Sequence, residues 1–116
     1  MESAAFSATV QDRHGSIVVV VQGELDMRAA PQLDQVLESL VAKGHAAVVL
    51  DFAGLSFIDS SGISVLIAAQ QGLQARGGHL AIHSARAHAR KVFEISGLTE
   101  LLDVRAEGPE EGFLPG

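Results

Sequence analysis

The chain has 116 residues, a formal net charge of −6, a pI near 5.2 and no cysteine. That acidity argues against nucleic acid, whose phosphates are met by Lys and Arg patches, and the missing thiols exclude disulfides, thiol catalysis and thiolate metal sites together. The length fits one domain spanning residues 1–116, and with 47% hydrophobic residues but 4% aromatics, all Phe, its core must rest on Val, Leu, Ile and Ala.

The first residues, Met1 to Phe6, carry neither a basic segment nor a long apolar run, so no secretory signal is expected. Phe6, Ala8 and Val10 alternate with polar neighbours, His14-Gly15 supplies a turn, and Ile17 to Val21 reads as a buried strand. These predict an opening hairpin. The Ile17–Val21 run is also the longest uninterrupted aliphatic stretch, far too short to span a bilayer. A soluble, cytoplasmic protein with no membrane partner is expected.

Gly23-Glu24-Leu25-Asp26 reads as a polar break, with Pro31 at a first helical position. Leu33, Val36, Leu37, Leu40 and Val41 follow at helical spacing, and Gly44 stops them. Ala46 to Leu50 is a second continuous apolar strand. Ile63, Leu66, Ile67, Gln70 and Leu73 then mark one face of a helix ending at Arg76-Gly77-Gly78. Leu80 and Ile82 alternate in another strand, and Ser84 is placed to cap a third helix that turns Ala85, Ala89, Val92 and Phe93 inward and closes at Gly97. Leu101, Leu102 and Val104 suggest a last short strand. The core therefore covers about residues 6–105, and residues 107–116, with two Pro and three Gly, read as a weakly ordered tail. The order is β-β-α-β-α-β-α-β, an α/β domain whose mixed sheet opens with an antiparallel hairpin and continues in parallel crossovers.

Chemistry has one strong candidate position. Asp59-Ser60-Ser61-Gly62 stands between an apolar strand and an apolar helix, which places a serine at a helix N-terminus. Ser60 or Ser61 could simply be an N-cap. A phosphate on either would meet a field that favours negative charge, although Asp59 would repel it. The Gly-x-Ser-x-Gly of a nucleophile elbow is absent, and nothing in the spacing brings His83 or His88 to Ser60, so an enzyme is not expected. His79 and His83 read as solvated strand histidines without the acids or thiols that would complete a metal site, and no cofactor is expected. Gly23-Glu24-Leu25-Asp26 is by itself an ordinary turn, but it should lie at the carboxyl edge of the sheet, near the exit of Leu50-Asp51, and it pairs with Asp59-Ser60-Ser61-Gly62 as a second motif.

Three motifs in order, Gly23-Glu24-Leu25-Asp26, Leu55-Ser56-Phe57-Ile58-Asp59-Ser60-Ser61-Gly62 and Phe93-Glu94-Ile95-Ser96-Gly97-Leu98, closely resemble those of the anti-sigma factor antagonists, small proteins made of one STAS domain. The similarity extends from about Phe6 to Val104. It implies a phosphoprotein in a partner-switching system of transcription regulation. An anti-sigma factor that is itself an ATP-using serine/threonine kinase would bind the unphosphorylated form and release its sigma factor. Phosphorylation at Ser60 would end that binding, and a phosphoserine phosphatase would restore it. The resemblance further implies partner-binding roles for Asp26 and Asp59, with Ser61 and Gly62 beside the acceptor. Ile63-Ser64-Val65 departs from the family's usual Leu-Gly-Val, so Ser64 is expected to retune partner choice. Two other readings keep the fold: a STAS subunit of a transporter or signalling assembly, and a nucleotide-sensing STAS domain.

Overall fold

The computed structural model describes residues 6–105. The expectation for residues 107–116 lies outside the described residues, as does the start, Met1 to Ala5. The chain begins with strand β1 (Ser7–Arg13) and strand β2 (Ser16–Leu25), joined by a tight turn. His14 and Gly15 both take positive φ, 57° and 88°, the geometry of a two-residue hairpin whose twist matches its strands. The Asp12 carboxylate accepts the Gly15 N–H at 2.9 Å and closes the turn.

Helix α1 (Ala30–Ala42), strand β3 (Ala47–Ile58), helix α2 (Ser60–Gln74), strand β4 (His79–His83), helix α3 (Ala87–Ile95), a 3-10 turn (Leu98–Glu100) and strand β5 (Asp103–Arg105) complete the order expected from the sequence. The five strands lie in sequence order, with β1 antiparallel to β2 and every later pair parallel. Each crossover therefore steps the sheet in one direction, and right-handed connections then set all three helices on the same face. One hydrophobic cluster gathers Val19 and Val21 of β2, Leu50 and Phe52 of β3, Leu80 and Ile82 of β4, and residues of every helix. Phe52 and Phe93 meet at 6.3 Å between ring centroids, so α3 rests on β3.

β5 is tied to β4 by charge as well as by its ladder. Asp103 accepts from Arg105 at 3.0 Å and pairs with His79 at 3.1 Å, and the Arg105 hydrogen bond above all holds the Asp103 carboxyl below the usual carboxylate range.

The structure moves five boundaries, the last strand's among them: Leu101 and Leu102, whose N–H groups donate to the Leu98 carbonyl, belong to the turn before β5, which starts at Asp103. Gly23, Glu24 and Leu25 are not a break but the last residues of β2, alternating buried, exposed and buried. β3 does not end at Leu50; it runs eight residues further to Ile58. Pro31 stands second in α1, behind Ala30. Ser84 does not cap α3: its φ of 63° is left-handed, whereas a cap residue sits in the extended region, and the helix starts only after Arg86. One side chain also differs from expectation, since His79 is exposed but His83 is buried.

Candidate functional site

Parallel pairing makes β2 and β3 end at the same sheet edge, with Leu25 opposite Ile58. The Asp59 N–H then donates to the Leu25 carbonyl at 3.2 Å. Asp26 and Asp59, distant in sequence, thus follow the ends of adjoining strands. The sheet edge, not chain proximity, brings the first two motifs together.

β3 reaches this edge through two irregularities. Val20 and Gln22 face Asp51 and Gly54, and Gly23 and Glu24 face Leu55 and Phe57, so β3 inserts one extra residue at each place. Such bulges bend a strand and re-aim its side chains. The second extra residue is Ser56, whose hydroxyl donates to the Gly23 carbonyl at 3.1 Å. Beyond it Phe57 is turned outward, 39% exposed, and stacks on His88 of α3 with centroids 5.8 Å apart.

Asp59 opens α2. Its backbone is extended, with φ −119° and ψ −172°, and one carboxylate oxygen accepts the N–H groups of Ser61 at 2.9 Å and Gly62 at 3.3 Å. Capping therefore falls to Asp59 and to neither serine. This corrects one expectation about charge: a phosphate would not find those N–H groups waiting, because Asp59 already occupies them. Replacing Asp59 by Ala should lower stability by about 1 kcal/mol, as loss of a cap typically does, while Asn should keep most of it. Urea unfolding of the two variants checks this.

Ser60 is the first residue of α2 and is exposed; its hydroxyl makes no hydrogen bond among the described residues. Its carbonyl accepts the Ser64 hydroxyl at 3.0 Å, which places Ser64, also exposed, one turn along the same helix face. Ser61 is half-buried. Gly62 is buried for a spatial reason: a Cβ there would lie 2.6 Å from Leu25 Cγ and 3.0 Å from Ile58 Cγ1. The helix start is thus pressed against the last residue of β2.

Asp26 shapes the neighbouring corner. Its carboxylate accepts the N–H groups of Arg28 at 3.0 Å and Ala29 at 3.1 Å, and its carbonyl accepts that of Ala30 at 2.8 Å, which starts α1. Met27, held in this turn, is 72% exposed. Of the positions expected from the sequence, Asp26, Asp59, Ser60, Ser61, Gly62 and Ser64 all gather at this edge. Met27 was missed, His88 was weighed only as a base for Ser60 and not as the partner of Phe57, and Phe57 was quoted without a role. An exposed large apolar residue beside a turn is a signal for Met27; the outward aim of Phe57 depends on a bulge that composition does not reveal.

The arrangement offers an exposed hydroxyl at a capped helix start, two carboxylates whose nearest use is to hold backbone N–H groups, and exposed apolar side chains on either side. Such a surface can dock a partner and can accept a group on Ser60.

Comparison with known proteins identifies the family. The family model described as "Mlab, STAS domain" matches residues 8–103. The chain is 32% identical over 92 residues to an anti-sigma-B factor antagonist of Staphylococcus epidermidis, covering 79% of this chain and 84% of the relative. Among solved structures, an anti-sigma factor antagonist from Mycobacterium paratuberculosis is 29% identical with a TM-score of 0.81, over 90% of each chain. SpoIIAA in its unphosphorylated form is 25% identical with a TM-score of 0.71, over 93% of each chain. Bacillus SpoIIAA in its phosphorylated form is 28% identical, with the same TM-score of 0.71, over 93% of this chain and 96% of that one. With its sheet order, its Asp-Ser-Ser-Gly helix start and these relatives in agreement, the chain belongs to the STAS-domain family of anti-sigma factor antagonists.

Proposed function

We propose that this protein is an anti-sigma factor antagonist controlled by phosphorylation of Ser60. In its unphosphorylated form it binds an anti-sigma factor that is an ATP-dependent serine kinase and so frees a sigma factor. Phosphorylation of Ser60 ends that binding, and a phosphatase restores it. One observation carries the reading: Ser60 presents an exposed hydroxyl without a hydrogen-bond partner among the described residues, at a helix start whose cap is supplied by Asp59. Modification of Ser60 therefore costs the fold no cap. A phosphate adds about −1.5 to −2 charge there. Beside Asp59, which already engages the Ser61 and Gly62 N–H groups, that charge stays on the docking surface. Asp26, Met27 and Phe57 complete the surface the partner reads.

The test is to incubate the protein with ATP and the anti-sigma serine kinase from its own genome, then map phosphate by mass spectrometry. One phosphate on Ser60, absent from Ser60→Ala, is expected. Modification confined to Ser61 or Ser64, or none with any cognate kinase, would overturn the assignment.

A further inference from the structure

The seam between α1 and α2 is not closed. Leu37 and Val41 of α1 face Ala68 and Gly72 of α2 across a groove of about 370 Å³, with Asp34 and Glu38 along its α1 wall and one cation, Arg76, also in its lining, just beyond the end of α2. A second hollow of about 350 Å³ shares Asp34 and Ala68 with the first and continues to Met27 and Ser64. The two hollows adjoin along both helices, and the second reaches Ser64, one helical turn from Ser60, whose carbonyl holds the Ser64 hydroxyl.

The fold does not require this emptiness. Gly72 lies inside α2, where glycine is a weaker helix former than alanine. Yet a Cβ at Gly72 would meet only Val41 Cγ1, at an ordinary contact distance of 4.0 Å. Two acids against one base leave the groove with an acidic excess, and the acids are uncommitted. Asp34 and Glu38 stand one turn apart on α1, and neither makes an ion pair or hydrogen bond among the described residues.

A floor of small residues takes bulky apolar side chains, and carboxylates at i and i+4 match cations at the same spacing on an adjoining helix. We propose that this groove receives a basic amphipathic helix of the anti-sigma partner. Its large aliphatic or aromatic residues would enter the floor at Ala68 and Gly72, and its Lys or Arg residues would pair with Asp34 and Glu38. The inference rests on the reading of the chain as an antagonist and extends it: the docking surface runs from the phosphorylation site down the α1–α2 seam.

The experiment measures affinity for the cognate anti-sigma factor, by calorimetry, with four variants and with light scattering of the free protein. Asp34→Lys/Glu38→Lys and the groove-filling Ala68→Trp should each weaken binding at least tenfold while melting like the wild type. The loss from the double reversal should shrink as salt rises. Glu94→Lys/Glu100→Lys, an equal change of net charge on exposed positions outside the groove, should bind within about twofold of wild type. Ser60→Asp reports separately on the phosphorylation surface. If the groove variants bind like wild type while Ser60→Asp loses affinity, the groove proposal falls and the antagonist reading stands. If wild type binds no anti-sigma factor, both fall. A self-associated wild type that becomes monomeric in the Asp34→Lys/Glu38→Lys variant would assign the groove to a second copy of this chain and overturn the proposed occupant.

Discussion

Ser60→Asp is expected to bind the anti-sigma kinase at least tenfold more weakly than Ser60→Ala, without any loss of thermal stability. The two halves of that result have different physical origins. A new carboxylate at the first residue of α2 faces the positive end of the helix macrodipole, which contributes about 0.3–1 kcal/mol in favour of folding, partly offset by Asp59 beside it. Folding is therefore close to neutral. Docking is not: the same charge joins Asp59 and Asp26 at the sheet edge, where a partner must displace water from it. A tenfold change needs only about 1.4 kcal/mol, less than the several kcal/mol that taking an unpaired charge out of water costs. Phosphoserine, with more charge than Asp, should weaken binding further. Titrations at two salt concentrations, beside a melting curve, measure all of this. Equal binding by Ser60→Asp and Ser60→Ala would refute an electrostatic switch, and a lower melting temperature for Ser60→Asp would show that the helix start had been damaged instead.

Two glycines of the same helix should answer alanine with opposite signs. At Gly62 the added carbon lies 2.6 Å from Leu25 Cγ and 2.9 Å from Cδ2, inside any tolerated contact, and Leu25 is itself fully buried. Overpacking of this kind costs about 1–3 kcal/mol, against a gain in helix propensity of at most about 1 kcal/mol. Gly62→Ala should therefore destabilise by about 1–2 kcal/mol and disturb Asp59 and Ser60 along with the helix start. At Gly72 the space is open, so the propensity gain should stand almost alone and raise stability by about 0.5–1 kcal/mol. Parallel urea denaturation of the two variants settles the sign of each. Destabilisation by Gly72→Ala would mean that the α1–α2 seam is closed in solution.

The order of elements was legible because the Val, Leu and Ile runs are continuous in the strands and spaced by three and four in the helices. The ends of β2 and β3 were read less well, for different reasons. The end of β2 did carry a signal, since Val21, Gln22, Gly23, Glu24 and Leu25 alternate cleanly, but the turn-forming composition of Gly and Glu outweighed it. The end of β3 carried a misleading one. Phe52, Leu55 and Ile58 are buried at intervals of three, because each bulge adds one residue to the strand period of two. Hydrophobic spacing could not reveal that. At the site, the junction of strand and helix located Ser60 and Asp59, yet Asp and Ser are equally good caps, so only geometry could decide between them. The need for Gly at position 62 depends on Leu25, a contact made across the sheet edge and invisible along the chain.

The Leu25–Gly62 contact also bears on time. The β2 end, the β3 end and the start of α2 are locked by side-chain contact and by the Asp59–Leu25 hydrogen bond into one corner. Under the phosphorylation proposed for Ser60, a mark on that corner would call for no rearrangement of it. The delay between signal and response would then be the time needed to make or hydrolyse one phosphoester.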